Sequence, residues 1–185
     1  KEETTMKMIQ ALSKYLRLSL NKGSDMVSVA DELENVKSYL QIQQMRFGSR
    51  VNWDFYVESG MNPGEYQILP LLIQPVVENA IVHGLEAVIE EGHISIIVER
   101  ENGTLVITVR DNGAGLDGER LSQVKEYLKK KQRDQSRSIG LYNVNQRIKV
   151  RYGEEYGIQI ESEPYAGTSV ILTIPLIRRN EAGQC

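Results

Sequence analysis

Two runs of alternating apolar and polar residues, joined by an Asn-Gly pair, constrain the fold of this chain more than any other feature. The runs are HISIIVER (93–100) and TLVITVRD (104–111), and Glu101-Asn102-Gly103 connects them. Asn-Gly between alternating runs is the strongest short-range signal for a β-hairpin, because both residues tolerate the positive φ of a type I′ turn. The chain therefore contains two antiparallel strands, and the residues after 111 follow the second of them.

A glycine-rich stretch, DNGAGLDG (111–118), follows that second strand directly. Gly113, Gly115 and Gly118 fit the G-x-G-x-x-G dinucleotide fingerprint, and Asp134 lies roughly the expected 20 residues further on. That fingerprint belongs to a βαβ unit of a parallel sheet, whereas the strand here is antiparallel, and the segment after Gly118 lacks the apolar stripe of a crossover helix. The sequence therefore argues against a Rossmann domain, and it contains no Walker A pattern.

Asp111, at the end of the hairpin, is a candidate for purine recognition. A carboxylate only accepts hydrogen bonds, so a buried aspartate matches the amino group of adenine and opposes the carbonyl of guanine. An unpaired buried acceptor costs on the order of 1–3 kcal/mol, which is enough to select adenine. The glycines that follow would let a purine lie against the backbone. A plain Asp-Asn-Gly-Ala-Gly turn is the alternative.

The segment ENAIVHG (78–84) carries a second group of polar side chains in an apolar helical context. Asn79 and His83 are four residues apart and therefore share a helix face. Asparagine is an indifferent helix former, so one flanked by Val77 and Ala80 needs a polar partner. A satisfied core amide and a structural histidine are the alternatives to a ligand site.

Periodicity predicts the remaining elements. Ser28 with Asp31 resembles a capping arrangement at a helix that Gly48 ends. The predicted elements are helices over 6–20, 28–47, 69–88, 119–131 and 139–153, and strands over 51–57, 156–162 and 167–176.

Composition fits one compact domain and excludes several classes of protein. The 185 residues are 25% charged with a net charge of −3, so no broad basic field indicates a nucleic-acid partner. The single cysteine, Cys185, excludes a disulfide framework or a cysteine metal cluster. No run approaches the roughly 18 apolar residues of a membrane span. Because the chain begins with Lys1, we expect it to be a piece of a longer protein.

Four segments in this order, QPVVENAIVHG, DNGAG, IGLYNVNQRI and GTSVILTIP, resemble the ATP-binding domain of sensor histidine kinases, with similarity to the LytS-type subfamily of two-component systems. The resemblance covers about residues 28–176 and places the chain in the superfamily of DNA gyrase, the heat-shock chaperone ATPases and the mismatch-repair ATPases. It implies an α+β fold of the Bergerat (GHKL) type, a two-layer α/β sandwich with a mixed, mostly antiparallel sheet covered by three helices.

The resemblance also implies an organisation along the chain. Residues 1–48 would be the C-terminal part of the dimerisation and phosphoacceptor region, a helical segment projecting from the sheet. Residues 49–178 would be the ATPase domain, with 116–138 as a mobile ATP lid, and residues 179–185 would be a tail.

Site residues follow from the resemblance position by position. Asn79 would hold Mg²⁺, Asp111 would bind the adenine amino group, and Glu78 would be the base that helps an imidazole nucleophile, with His83 as the second catalytic candidate. Ser138 replaces a glycine of the family pattern, and Val82 stands where a basic residue is frequent. The full set of implied ATP-binding residues is Asn79, Asp111, Asn112, Gly113, Gly115, Leu116, Arg137, Ser138, Gly140, Leu141, Asn143, Gly167 and Thr168.

The implied function is phosphoryl transfer from ATP to a histidine upstream of this chain. The family's acceptor motif, which resembles N-P-H-F, is absent from the sequence, and neither His83 nor His93 fits that role. The implied partners are ATP, the phosphoacceptor helix of the same or partner subunit in a homodimer, and a response regulator, without nucleic acid. The implied location is the cytoplasmic part of an integral membrane protein. The alternatives are a degenerate nucleotide-binding module that signals by dimerisation, and an anti-sigma serine kinase. The serine kinase fits the ATP site but not the two predicted N-terminal helices, over 6–20 and 28–47.

Overall fold

The computed structural model describes residues 25–85, 91–130 and 139–179. The predicted helix over 6–20 lies outside these residues. In chain order the elements are β1 (Val27–Ser28), α1 (Val29–Phe47), β2 (Val51–Val57), β3 (Gln67–Ile68), α2 (Gln74–Asn79) with a π-helical continuation (Ala80–Leu85), β4 (Gly92–Glu101), β5 (Thr104–Asp111), α3 (Gly118–Lys129), α4 (Ile139–Tyr152), β6 (Gly157–Glu163) and β7 (Gly167–Pro175).

A five-stranded mixed sheet with the order β2-β4-β5-β7-β6 forms one layer of the fold. β2 and β4 are parallel, and the other three pairs of neighbouring strands are antiparallel. The predicted hairpin of β4 and β5 is confirmed, with Asn102 at φ 49° and Gly103 at φ 82° in the turn. Both angles are those a type I′ turn requires, so the turn fixes the register that pairs Ile94 with Asp111. A second, two-stranded sheet pairs β1 with β3.

The helices cover one face of the five-stranded sheet, which gives the expected α+β sandwich. Alternate residues of β5 are buried beneath them: Leu105, Ile107 and Val109 are at most 1% exposed. Helix α1 packs on the same core instead of projecting from it, since Val36 and Leu40 are fully buried. A helix with so apolar a stripe is stable only when the stripe is covered, and here the rest of the domain covers it.

Helix α2 begins at Gln74, so the predicted start at residue 69 is wrong. Pro75 lies in the first turn, the only part of a helix that tolerates a residue without a backbone N–H. Glu32 of α1 supplies the missing cap, because its carboxylate accepts hydrogen bonds from the backbone N–H groups of Leu71 (3.0 Å) and Ile73 (3.1 Å). Burial raises the pKa of Glu32, and these hydrogen bonds partly offset that effect.

Helix α3 carries an apolar stripe, so the prediction that the segment after Gly118 lacks one is wrong. Leu128 belongs to the core, and Leu121 and Val124 pack against it. Asn145 of α4 fastens the end of this helix: its Nδ2 donates to the Leu128 carbonyl (2.9 Å), and its Oδ1 accepts from the Ile158 N–H (2.8 Å). The first half of the predicted lid is therefore a helix docked on the domain. Within the described ranges no helix combines the length and the apolar character needed to cross a bilayer.

Candidate functional site

A cavity of about 380 Å³ opens between the helices and the sheet, at the end of the sheet where β5 finishes. Its walls come from α2 and its π-helical continuation, from β5 and the loop after it, and from α3, α4, β6 and β7. The lining residues are Asn79, Ala80, His83, Gly84, Val109, Asp111, Gly115, Leu116, Arg120, Gln123, Val124, Tyr127, Leu141, Ile160, Thr168 and Val170. Apolar walls with a few convergent polar groups are typical of small-molecule sites.

Asp111 is the buried charge of this cavity, with 4% of its surface exposed. Its Oδ1 accepts a hydrogen bond from the Gly113 N–H (2.8 Å), and the backbone of Thr168 also donates to the carboxylate. Burial raises the pKa of Asp111, and these two hydrogen bonds act in the opposite direction. A carboxylate has about four lone-pair positions, so Asp111 keeps acceptor capacity for a donor in the cavity.

Three glycines pack so tightly around Asp111 that a side chain would not fit. A Cβ on Gly84 would lie 2.7 Å from Asp111 Oδ1, one on Gly113 would meet the Gly84 carbonyl, and one on Gly167 would meet the Asp111 carbonyl. Gly167 also has a φ of 91°, which favours glycine. We call Gly84, Gly113 and Gly167 the glycine cage: Gly84 lies against the carboxylate itself, and the other two glycines let the backbone pack closely beside it.

Asn79 and His83 both line the cavity, on the opposite wall from the sheet. Asn79 is the last residue of α2, and His83 lies in the π-helical continuation from Ala80 to Leu85. Such wider turns occur frequently at functional sites, where they change the direction of side chains. The π-helical turn also brings Gly84 against Asp111. The segment that follows Asn79 therefore contacts the carboxylate on the sheet side of the cavity.

Ser162 organises the hydroxyl groups at the sheet side of the cavity. Its hydroxyl donates to the Gly167 carbonyl (2.9 Å) and accepts from the Leu116 N–H (2.8 Å). Its contact with Thr168 Oγ1 (2.9 Å) therefore has Thr168 as the donor, because Ser162 has a single hydrogen to give. Thr168 Oγ1 consequently presents acceptor lone pairs to a ligand.

Several predicted site residues lie beside the cavity. The Asn112 side chain ties the start of β4 to the end of β5, accepting from the His93 N–H (2.6 Å) and donating to the Glu91 carbonyl (3.1 Å). Glu78 is half-buried, and its Oε1 accepts from Gln74 Nε2 (2.6 Å). Gly140 and Asn143 are on α4, where Asn143 is exposed. Arg137 and Ser138 lie outside the described residues.

Other cavity residues were not identified from the sequence. Gly84 stands in the quoted IVHG segment, and its close approach to Asp111 depends on the π-helical turn. Arg120, Gln123 and Tyr127 all come from α3, whose docking depends on tertiary contacts. Tyr127 also packs on Tyr142 of α4, with ring centroids 4.9 Å apart. Their helical spacing is the only sequence signal, and it indicates a helix face without indicating what the face covers.

The family described as "Histidine kinase-, DNA gyrase B-, and HSP90-like ATPase" matches residues 65–178, and the family "Histidine kinase" matches residues 1–51. Sensor histidine kinase YesM of Bacillus subtilis is 35% identical over 176 residues, which cover 95% of this chain and 28% of YesM. Sensor histidine kinase YpdA of Escherichia coli is 35% identical over 98% of this chain and 30% of its own length. The chain thus spans less than a third of these relatives.

Solved structures of histidine kinases share the fold. The histidine kinase domain of a blue-light activated kinase from Erythrobacter litoralis superimposes with a TM-score of 0.58 at 17% identity, covering 94% of this chain and 75% of that one. The nucleotide-free catalytic domain of histidine kinase ThkA gives a TM-score of 0.58 at 17% identity, covering 83% of this chain and 97% of that domain.

Proposed function

The chain belongs to the histidine kinase-, DNA gyrase B- and HSP90-like ATPases, and from that premise we propose that it is the ATP-binding catalytic part of a LytS-type sensor histidine kinase. The observation that carries the proposal is that Asp111 and Asn79 line the same cavity. A buried acceptor at one wall and an amide at the other match the two ends of ATP, the adenine and the triphosphate.

At the adenine end, Asp111 accepts a hydrogen bond from the exocyclic amino group. Guanine carries a carbonyl at that position, so its binding would place two acceptors against each other in a buried site. Thr168 Oγ1, beside Asp111 in the β5–β7 register, offers a second acceptor position. Ile160, Val170 and Val109 give this end the apolar floor that a purine ring can cover.

At the triphosphate end, Asn79 is the proposed Mg²⁺ ligand. Its amide oxygen is the kind of hard oxygen ligand that Mg²⁺ prefers. Asn79 is therefore the cavity residue that fits a bound Mg²⁺. Among the described residues no cluster of three His, Cys, Asp or Glu side chains could hold a metal, so phosphate oxygens and water would complete the coordination. Mg²⁺ would neutralise charge that develops on the phosphates during transfer.

In the proposed reaction, an imidazole nitrogen forms a bond to the γ-phosphorus while the bond to the β–γ bridging oxygen breaks and ADP leaves. The proton of the imidazole passes to the carboxylate of Glu78. Glu78 is next to Asn79 in the sequence but does not line the cavity. This position is consistent with a base that takes a proton from a nucleophile approaching from outside the ATP cavity. Neither of the two histidines of this chain is the proposed phosphoacceptor. His83 lines the cavity, and His93 Nε2 contacts Asp54 Oδ2 (2.8 Å).

The proposed partners follow from that reaction. The acceptor histidine lies on a helix upstream of this chain, in the same or the partner subunit of a homodimer, and a response-regulator aspartate receives the phosphoryl group. Residues 49–178 form the proposed ATPase unit, residues 1–48 belong to the acceptor side, and 179–185 are a tail. The unit faces the cytoplasm in a membrane-anchored parent protein. The relatives are named as sensor histidine kinases, which supports a kinase over a degenerate module.

The test is ATP binding measured by calorimetry for the wild type and Asp111→Asn. Asparagine presents one oxygen where aspartate presents two, so we expect affinity for ATP to fall by about 10- to 100-fold. Asp54→Asn is the matched control, because Asp54 is exposed on β2 outside the cavity, and it should bind ATP like the wild type. Equal affinities for Asp111→Asn and the wild type would overturn the adenine assignment.

A further inference from the structure

A chain of hydrogen bonds joins helix α1 to Glu78. Asn35 Nδ2 of α1 donates to Gln74 Oε1 (2.8 Å), and Gln74 Nε2 donates to Glu78 Oε1 (2.6 Å). Asn35 is 3% exposed and Gln74 is 5% exposed, so both amides are in the interior between α1 and α2. Burying two amides costs free energy unless they are hydrogen-bonded, so the bonds to Gln74 and Glu78 are needed to keep these side chains in the interior.

The carboxylate fixes the direction of the whole chain of bonds. A carboxylate accepts hydrogen bonds and has none to donate, so the Gln74 atom that faces Glu78 has to be Nε2. Gln74 Oε1 then faces Asn35, and the Asn35 atom opposite it has to be Nδ2. Asn35 Oδ1 is left buried without a hydrogen-bond partner, which is the cost of this orientation.

We propose that Gln74 is a positioning residue for the Glu78 carboxylate and that Asn35 fixes the orientation of the Gln74 amide. This inference rests on the proposed role of Glu78 as the base in phosphoryl transfer. Gln74 and Glu78 are four residues apart on α2, so the bond holds Glu78 Oε1 along the helix and leaves Oε2 for the incoming imidazole. A neutral amide orients the carboxylate without the opposite charge that a lysine or arginine would bring.

The inference also gives α1 a connection to the reaction. Asn35 connects α1 to this chain of bonds, because its Nδ2 donates the 2.8 Å hydrogen bond to Gln74 Oε1. A displacement of α1 that breaks this bond removes one restraint on the Gln74 amide, and the Glu78 carboxylate is then held less firmly in its orientation.

The test uses the complete protein that contains this chain, with autophosphorylation from γ-labelled ATP and ATP affinity measured separately. Gln74→Met keeps the length of the side chain and removes the donor. We expect the rate of phosphoryl transfer to fall about 10-fold and ATP affinity to stay within about twofold, because Gln74 lies outside the cavity. Gln44→Met is the matched control: it removes a glutamine bond from α1 to the Val51 carbonyl without touching Glu78, and its rate should equal the wild type.

A double-mutant cycle separates positioning from general stability. Glu78→Ala should lower the rate about 100-fold, and Gln74→Met added to Glu78→Ala should cause no further loss. A further 10-fold loss in the double variant would overturn the inference, since Gln74 would then act without Glu78. A wild-type rate for Glu78→Ala would instead overturn the proposed role of Glu78 itself. If Gln74→Met does not fold, Asn35→Leu, with Gln74 intact, should lower the transfer rate at unchanged ATP affinity, and an unchanged rate would overturn the inference.

Discussion

Asp111, the proposed adenine ligand, is held in a fixed orientation by the protein itself. Its carboxylate is buried and its pKa is raised, so the free protein bears a cost for keeping that charge in place. Gly84 lies against the carboxylate, and the backbone of Gly113 and of Thr168 donates hydrogen bonds to it without using all of its acceptor positions. A ligand donor therefore meets an acceptor whose orientation is already fixed, which reduces the entropy lost on binding.

Gly84→Ala tests the cage at this scale. The added methyl group would lie 2.7 Å from Asp111 Oδ1, so either the carboxylate or the π-helical segment must move. We expect ATP affinity, measured by calorimetry, to fall at least 10-fold. Gly118→Ala is the control, because a Cβ at that position meets nothing within 4 Å and alanine favours the helix. Unchanged affinity in Gly84→Ala would show that the carboxylate does not need this fixed position.

At the scale of the elements, α3 forms part of the cavity wall, and hydrogen bonds hold both of its ends in place. Arg120, Gln123 and Tyr127 of this helix line the cavity, whereas Leu121 and Leu128 face the core. The helix begins with its own cap, since Asp117 Oδ1 accepts from the Arg120 N–H (2.8 Å). Its end depends on another helix, because Asn145 of α4 holds the Leu128 carbonyl.

Asn145→Ala should therefore loosen α3. The substitution leaves the buried Leu128 carbonyl without its partner, at a cost of about 1–3 kcal/mol, and the partly buried Ile158 N–H without its partner at a smaller cost. We expect faster amide hydrogen exchange over residues 118–129 and a lower melting temperature. Val150→Ala on the exposed side of α4 is the control, with exchange like that of the wild type. Unaltered exchange in Asn145→Ala would mean that apolar packing alone docks the helix.

For the whole molecule, buried carboxylates link stability to pH. The pKa values of Glu32 and Asp111 are raised in the folded state, mainly by burial. A group with a raised pKa contributes stability below its unfolded pKa and loses that contribution as the pH rises through its folded pKa. Glu58 acts in the opposite sense, because Arg100 lowers its pKa, so its contribution is lost as the pH falls below about 4.5.

We expect Glu32→Gln to change this pH dependence. As the pH rises above 4.5 through the raised folded-state pKa of Glu32, the wild type loses the Glu32 contribution and the variant does not, so the destabilisation caused by Glu32→Gln should shrink. The measurement is the free energy of unfolding in urea at several pH values. Val150→Ala, an exposed substitution that changes no titratable group, should show a difference that is independent of pH. A destabilisation that grows with pH in Glu32→Gln would contradict the sign of the linkage.

Local signals in the sequence determined much of the fold. Asn102-Gly103 specified the hairpin, and Ser28 and Gly48 specified the ends of α1, because turns and caps depend on the conformational preferences of one or two residues. The order of four segments identified the family. The family resemblance predicted that Asp111 and Asn79, which lie on separate elements, belong to one ATP site. Their placement on one cavity is a property of the structure.

The tertiary structure alone decided the rest, because the interactions involved join residues far apart in the chain. Glu32 caps α2 from 39 to 41 residues away, so Pro75 is the local signal of that helix start and its cap has none. The docking of α3 depends on Asn145, and the link from Asn35 through Gln74 to Glu78 exists only because α1 packs against α2. Periodicity shows that a helix face is apolar or polar; which partner it meets depends on the packing of the whole domain.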